Sequence, residues 1–309
     1  MSTHLTKSYN DRRPALRKIA SETLAAIDKG YVLNGTAHDL RGKSEDSKRR
    51  TRYFSPDSLL ATWSTAPIPA HHNHPVKPSE ISIVEVSTLD AARYLSANPI
   101  DHGKIGILNF ASAKKAGGGF LNGAQAQEES IARSSTLYPT LMTSIAQNFY
   151  TLHNRDTKEG YYTHAMIYSP GVVVFRDDDG GWREPFEADV LTSPAVNAGV
   201  VRKSLMGKLS AAATEERIER VMRERMGRIL FLFEKEGAKN IVLGSFGTGV
   251  FQNDVEEVAR IWADLLAVPG ARFSHSFHQV IFAILGRKTF IEFQNAFNAR
   301  KMHSGPSRH

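Results

Sequence analysis

Two adjacent glutamates, Glu128 and Glu129, stand close behind three consecutive glycines, Gly117, Gly118 and Gly119, in the stretch KKAGGGFLNGAQAQEES over residues 114–130. Three glycines cost backbone entropy on folding, so a chain keeps them where something must come close to the main chain. The Gln127-Glu128-Glu129 triplet has two readings. It suits the acidic first turn of a helix, where the macrodipole favours carboxylates. It also suits a reactive pair: neighbouring helical residues point about 100° apart, so one carboxylate can grip a ligand while the other reacts.

A second glycine-rich loop, GSFGTGVF over residues 244–251, follows the apolar run NIVL. Gly247, Thr248, Gly249 and Val250 can offer main-chain N–H groups to a diphosphate, facing a helix N-terminus capped by Asn253 or Asp254. Phe251 would stack on a sugar or base. The same segment also reads as a tight strand-to-helix turn with Phe251 in the core. It carries neither the GK[ST] of a phosphate-binding P-loop nor a strict GxGxxG, which argues against a mononucleotide kinase or a Rossmann cofactor. His71, His72 and His74 sit in a proline-flanked loop at a spacing that fits no common zinc template, and the chain has no cysteine, so no metal and no cofactor are expected. No serine lies in a G-x-S-x-G elbow.

Both loops need strands to hold them. ISIVEV (residues 81–86), KIGILNFA (104–111), AMIYSPGVVVFRDD, ADVLTSPAVNAG, NIVLGS and HQVIFAIL read as strands. Between them, TLDAARYLSA, the segment after the glutamates, residues 214–237 and DVEEVARIWADLL read as helices. The segment after the glutamates reads as a helix, a turn and a second helix with Pro139 in its first turn. In the long helix RERMGR reads as a solvated face. Residues 13–31 form an amphipathic helix with Gly30 at its C-cap, followed from His38 to Pro78 by a polar connector. Alternation of strands and helices from about residue 80 onward predicts an α/β core with one mixed or largely parallel sheet between helices. The strand ends then bring the two glycine loops to one crevice. TSPAVNAG (residues 192–199) could wall an adenosine site or be a structural turn.

The 309 residues carry a formal charge of +7, with a pI of about 9.5. That balance favours polyanions. The basic stretches at residues 40–52 and at the C-terminus read as a solvated loop and a frayed tail. They lack interleaved aromatics, so direct nucleic-acid binding is not expected. With no cysteine, no apolar leader and no run long enough to span a bilayer, an intracellular protein without a membrane partner is expected.

The stretch NFASAKKAGGGFLNGAQAQEESIARSSTLY resembles the signature of the poly(ADP-ribose) glycohydrolases, a GGG set a few residues ahead of QEE; here seven residues intervene. RYFSPDSL, MIYSPGVVVFRDDDG, LTSPAVNAGVV and LGSFGTGVFQNDVEEVA are similar to the microbial branch of that family. The resemblance runs from about Ile19 to Phe297. It implies a macrodomain-like three-layer α/β/α sandwich with a mixed sheet and an N-terminal helical extension: residues 1–78 packing on a core of residues 79–299, then a basic tail of residues 300–309.

The resemblance further implies that Gly247 to Phe251 receive the diphosphate of ADP-ribose and that Gly117 to Gly119 lie against the distal ribose, with Asn109 facing it. By match to QEE, Glu129 is the catalytic general acid and base, Glu128 holds the ribose and the scissile oxygen, and Gln127 supports them. The substrate would be poly(ADP-ribose) on ADP-ribosylated proteins, cut from the chain end by a monomer, inside the cell or in the nucleus if eukaryotic, with ADP-ribose as product. A glutamate in that role needs a pKa raised by burial or by a neighbouring charge, which Glu128 supplies. Two other functions share the pocket: a macrodomain that reads ADP-ribose without cutting, and a hydrolase of single ADP-ribosyl groups. The intact carboxylate pair weighs against the reader.

Overall fold

The computed structural model describes residues 9–68, 77–98, 103–155 and 160–303. Helix α1 (Tyr9–Lys29) ends on Gly30, whose φ of +75° and N–H bond to the Ala26 carbonyl make the left-handed cap. A small hairpin, β1 (Tyr31–Leu33) and β2 (Thr36–His38), leads to α2 (Arg41–Arg50) and β3 (Arg52–Phe54). Then come β4 (Glu80–Val84), α3 (Thr88–Ala97) and β5 (Lys104–Phe110). Three helices follow, α4 (Gln127–Ser134), α5 (Leu137–Leu141) and α6 (Ser144–Arg155), where the sequence suggests two; Pro139 sits in α5. Strands β6 (Met166–Arg176) and β7 (Trp182–Ser193) precede α7 (Ala198–Lys203), α8 (Leu205–Leu209) and the long α9 (Ala211–Glu236). The chain closes with β8 (Ala238–Leu243), α10 (Val255–Leu266), β9 (Gln279–Ala283) and α11 (Arg287–His303).

Seven strands form one mixed sheet in the order β3-β6-β7-β5-β8-β9-β4. β7, β5, β8, β9 and β4 are parallel, while β6 and β3 run antiparallel to their neighbours. Alternate residues serve opposite faces. Leu108, Ile241, Leu243, Val280 and Phe282 pack with Met222, Met226, Ile229, Trp262 and Phe293 of α9, α10 and α11. Ile107, Val242 and Ile281 pack with Leu89, Ile131, Leu137 and Phe149 of α3, α4, α5 and α6. The result is a three-layer sandwich with a core on each side of the sheet.

Three readings of the sequence are corrected here. The basic stretch at residues 40–52 is helix α2 and strand β3, not a solvated loop. Ser44 and Ser47, rather than aliphatic side chains, form the buried face of α2, and its charges pair along the helix, Lys48 with Glu45 and Arg50 with Asp46. Strand β3 pairs with β6, so the residues ahead of position 78 contribute an edge strand to the sheet. RERMGR is not a solvated face: Arg225 and Arg228 are buried. At the C-terminus, residues 300–303 complete α11. His71, His72 and His74 lie outside the described residues.

Candidate active site

Neighbouring parallel strands β7, β5 and β8 end side by side and deliver the TSPAVNAG segment, the triple-glycine loop and the GSFGTGVF loop to the same edge of the sheet. At the end of β5 the chain turns back through the glycines into α4, which opens with Gln127, Glu128 and Glu129. The Gln127 amide clamps that helix start to the strand, accepting from the Phe110 N–H at 2.9 Å and donating to the Leu108 carbonyl at 2.7 Å and to Thr88 Oγ1 at 3.3 Å. Its polar atoms are committed to protein, so Gln127 is a positioning residue.

Glu128 is buried, with Oε2 accepting from the Ser112 N–H at 2.7 Å and Oε1 facing Asn109 Nδ2 at 3.4 Å. Asn109, wholly buried, is itself held by Thr192 of β7 at 3.1 Å. Glu129 is 9% exposed, and its Oε1 accepts from the Gly119 N–H at 2.9 Å. Gly118, at φ +58°, passes over both carboxylates: a Cβ there would stand 2.4 Å from Glu129 Oε1 and 3.0 Å from Glu128 Oε2. The glycines therefore do not merely permit approach from outside; the carboxylates themselves occupy the space a side chain would need.

The second loop divides its tasks. Gly247, at φ +76°, is required by the protein, since a Cβ would strike Ala195 Cβ at 2.3 Å. Asn253 bolts the loop through Nδ2 to the carbonyls of Val196 and Gly247 at 2.7 and 2.9 Å, and Asp254 caps α10. Thr248 Oγ1 donates to the Ser245 carbonyl at 3.0 Å. Gly249 faces open space, with nothing within 4 Å of its Cβ position, and Val250 is largely exposed. Among the described residues, the N–H groups of Gly249, Val250 and Phe251 donate to no protein acceptor. Successive uncommitted N–H groups beside a helix N-terminus make a receptor for a phosphate or diphosphate. Phe251 is half-buried, its ring 5.9 Å from that of Tyr162.

The sequence reading missed what supports this rim. Arg225 of α9 donates to the Pro194 carbonyl at 3.0 Å and to those of Tyr161 and Tyr162 at 2.9 and 3.3 Å. It thereby ties the loop after β7 to the segment facing Phe251. A signal existed: Ile218, Met222, Arg225 and Ile229 follow each other at steps that share one helix face.

Burial pushes the Glu128 carboxyl up from 4.5 to about 8; the Ser112 N–H bond works against this, and the Glu129 carboxylate beside it adds to it. The folded protein therefore holds a proton at Glu128 across neutral pH that the unfolded chain has released. Stability contributed by that proton is present below pH 4.5 and is lost as pH rises toward 8. Relative to Glu128→Gln, the wild-type unfolding free energy should decline by as much as about 1.4 kcal/mol per pH unit across that window. Denaturant titrations of the two proteins between pH 5 and 8.5 check this; parallel profiles would refute the raised carboxyl.

The microbial-type PARG catalytic domain, that of the poly(ADP-ribose) glycohydrolases, matches residues 20–177. Poly(ADP-ribose) glycohydrolase from Thermomonospora curvata superposes with a TM-score of 0.81 at 37% identity, covering 93% of this chain and all of that one. The chain belongs to the microbial-type poly(ADP-ribose) glycohydrolase family. The T. curvata enzyme bound to the inhibitor ADP-HPD gives a TM-score of 0.78 at 37% identity, over 93% of this chain and 100% of that chain. The glycohydrolase from Deinococcus radiodurans in complex with ADP-ribose gives 0.69 at 29% identity, over 88% and 100% of the two chains. A comparison with curated protein sequences gave no match. As a member of this glycohydrolase family the chain is an enzyme, with the macrodomain-like α/β sandwich its sequence implies. No helix among the described residues is long and apolar enough to cross a membrane.

Proposed function

We propose that the protein removes ADP-ribose units from the end of poly(ADP-ribose), with Glu129 as the acid and base of the reaction. Glu129 would give its proton to the oxygen that leaves as the anomeric carbon–oxygen bond between two riboses breaks. A water then adds its hydroxide to the oxocarbenium-like carbon, and its second proton returns to Glu129. The observation that carries this reading is the placement of Glu129 Oε1 on the Gly119 N–H, beside the buried Glu128 carboxyl. A proton held at Glu128 lowers the negative charge that a dianionic diphosphate meets on its approach. Asn109 and Glu128 would hold the ribose, and the uncommitted N–H groups from Gly249 to Phe251 the diphosphate.

Cutting from the chain end draws support from α1, which crowds the far side of the glycine loop; a Cβ on Gly123 would meet the Arg13 carbonyl at 2.5 Å. In this reading residues 1–78 brace a catalytic core of residues 79–299. The protein acts as an intracellular monomer on polymer carried by ADP-ribosylated proteins. Incubation with poly(ADP-ribose) of defined length tests it. ADP-ribose should be the early small product while long chains shorten gradually. Early fragments of intermediate length would overturn end-cutting, and tight binding without cleavage would overturn hydrolysis.

A further inference from the structure

Beyond the carboxylates, a cavity of about 430 Å³ opens on the outer side of the glycine loop, between residues 114–116 and the C-terminal half of α6. Its size falls within the range of sites for small organic ligands. Lys114 and Arg155 line it and are exposed, and among the described residues no carboxylate does. Tyr138 supplies an aromatic wall. Tyr150, only 4% exposed, also lines it, yet its hydroxyl makes no hydrogen bond to the protein. A buried donor left without an acceptor is uncommon in a folded protein and calls for an explanation.

The cavity lies one backbone thickness from the reacting groups. A Cβ on Gly117 would touch Tyr138 at 3.2 Å, whereas a Cβ on the next residue, Gly118, would touch Glu129. Consecutive glycines thus face the cavity wall and the acid. Asn154 fixes this partition by donating to the Lys114 carbonyl at 3.2 Å. A polymer cut at Glu129 has a second nucleotide attached to its leaving oxygen, and that nucleotide must lie near the loop. It carries a diphosphate and an aromatic base, the chemistry that two cations and a tyrosine face accept.

We propose that this cavity is a subsite for the ADP-ribose unit next to the one being removed, with Lys114 and Arg155 holding its diphosphate and Tyr150 donating to one of its oxygens. The inference rests on the proposed hydrolysis of the polymer. The test compares two substrates: poly(ADP-ribose), and an aryl glycoside of ADP-ribose, which has no neighbouring unit. For the double variant Lys114→Glu/Arg155→Glu, the ratio of kcat/KM on polymer to that on the aryl glycoside should fall about tenfold or more, as expected for lost charge-assisted contacts. Thr151→Trp, which fills the cavity from an exposed position, should lower the same ratio. An unchanged ratio, or an equal loss on both substrates, would overturn the subsite and leave hydrolysis standing. Failure of the wild type to cut either substrate would overturn the hydrolase reading, and this one with it.

Discussion

Replacing Glu129 with glutamine should lower kcat on poly(ADP-ribose) roughly a thousandfold, the scale expected when a positioned general acid and base is removed. ADP-ribose affinity should stay within a few-fold of wild type. The substitution is nearly isosteric, and the amide oxygen can still accept from the Gly119 N–H that the carboxylate uses at 2.9 Å. The loop should therefore keep its shape, with only the transferable proton lost. Single-turnover kinetics on polymer, with calorimetric titration of ADP-ribose in parallel, separate the two effects. Retained activity would remove Glu129 from the acid–base role. Loss of ADP-ribose binding together with activity would show that it holds the ligand instead. An unfolding profile close to that of the wild type would confirm that the effect is chemical.

The parts of this site legible in the sequence are those in which residue type alone carries the message. Gly117 to Gly119 cannot be read as packing residues, and two carboxylates behind them are conspicuous. The sandwich was legible for a similar reason. Each of β4, β5, β8 and β9 is a short apolar run, and α3 and α9 show regular helical phase with Ser87 and Gly237 at their ends. What escaped detection depends on partners distant in the chain. Helix α2 buries serines, which no apolar periodicity marks. Strand β3 spans only Arg52–Phe54, and its place at the sheet edge is set by β6 more than a hundred residues later. Arg225 looks solvated because arginine usually is. Its burial follows from three carbonyl acceptors, on segments that fold brings to α9. The division of labour between the glutamates was also hidden. The raised carboxyl at Glu128 comes first from burial beneath Gly118 and the strand end, which no local pattern encodes.

Gly118→Ala should cost far more activity than stability. The left-handed φ of +58° penalises alanine by about 1 to 2 kcal/mol, which for a domain of this size lowers Tm by only a few degrees. The added Cβ would stand 2.4 Å from Glu129 Oε1, too close for any real contact. That oxygen is the far end of a flexible side chain, so the fold can relieve the clash by turning the carboxylate aside. Doing so breaks its bond to the Gly119 N–H and moves the acid by the order of an ångström, a displacement able to cost about a hundredfold in rate. Gly119→Ala makes the contrast. Its Cβ would press on Ala124 Cβ at 2.8 Å but stay 3.8 Å from Glu129 Oε1, so its penalty should fall mainly on stability. Thermal unfolding and polymer hydrolysis measured for both variants decide the matter. If Gly118→Ala keeps wild-type kcat, the carboxylate does not need its present position. The triple glycine would then serve the loop alone rather than the acid beneath it.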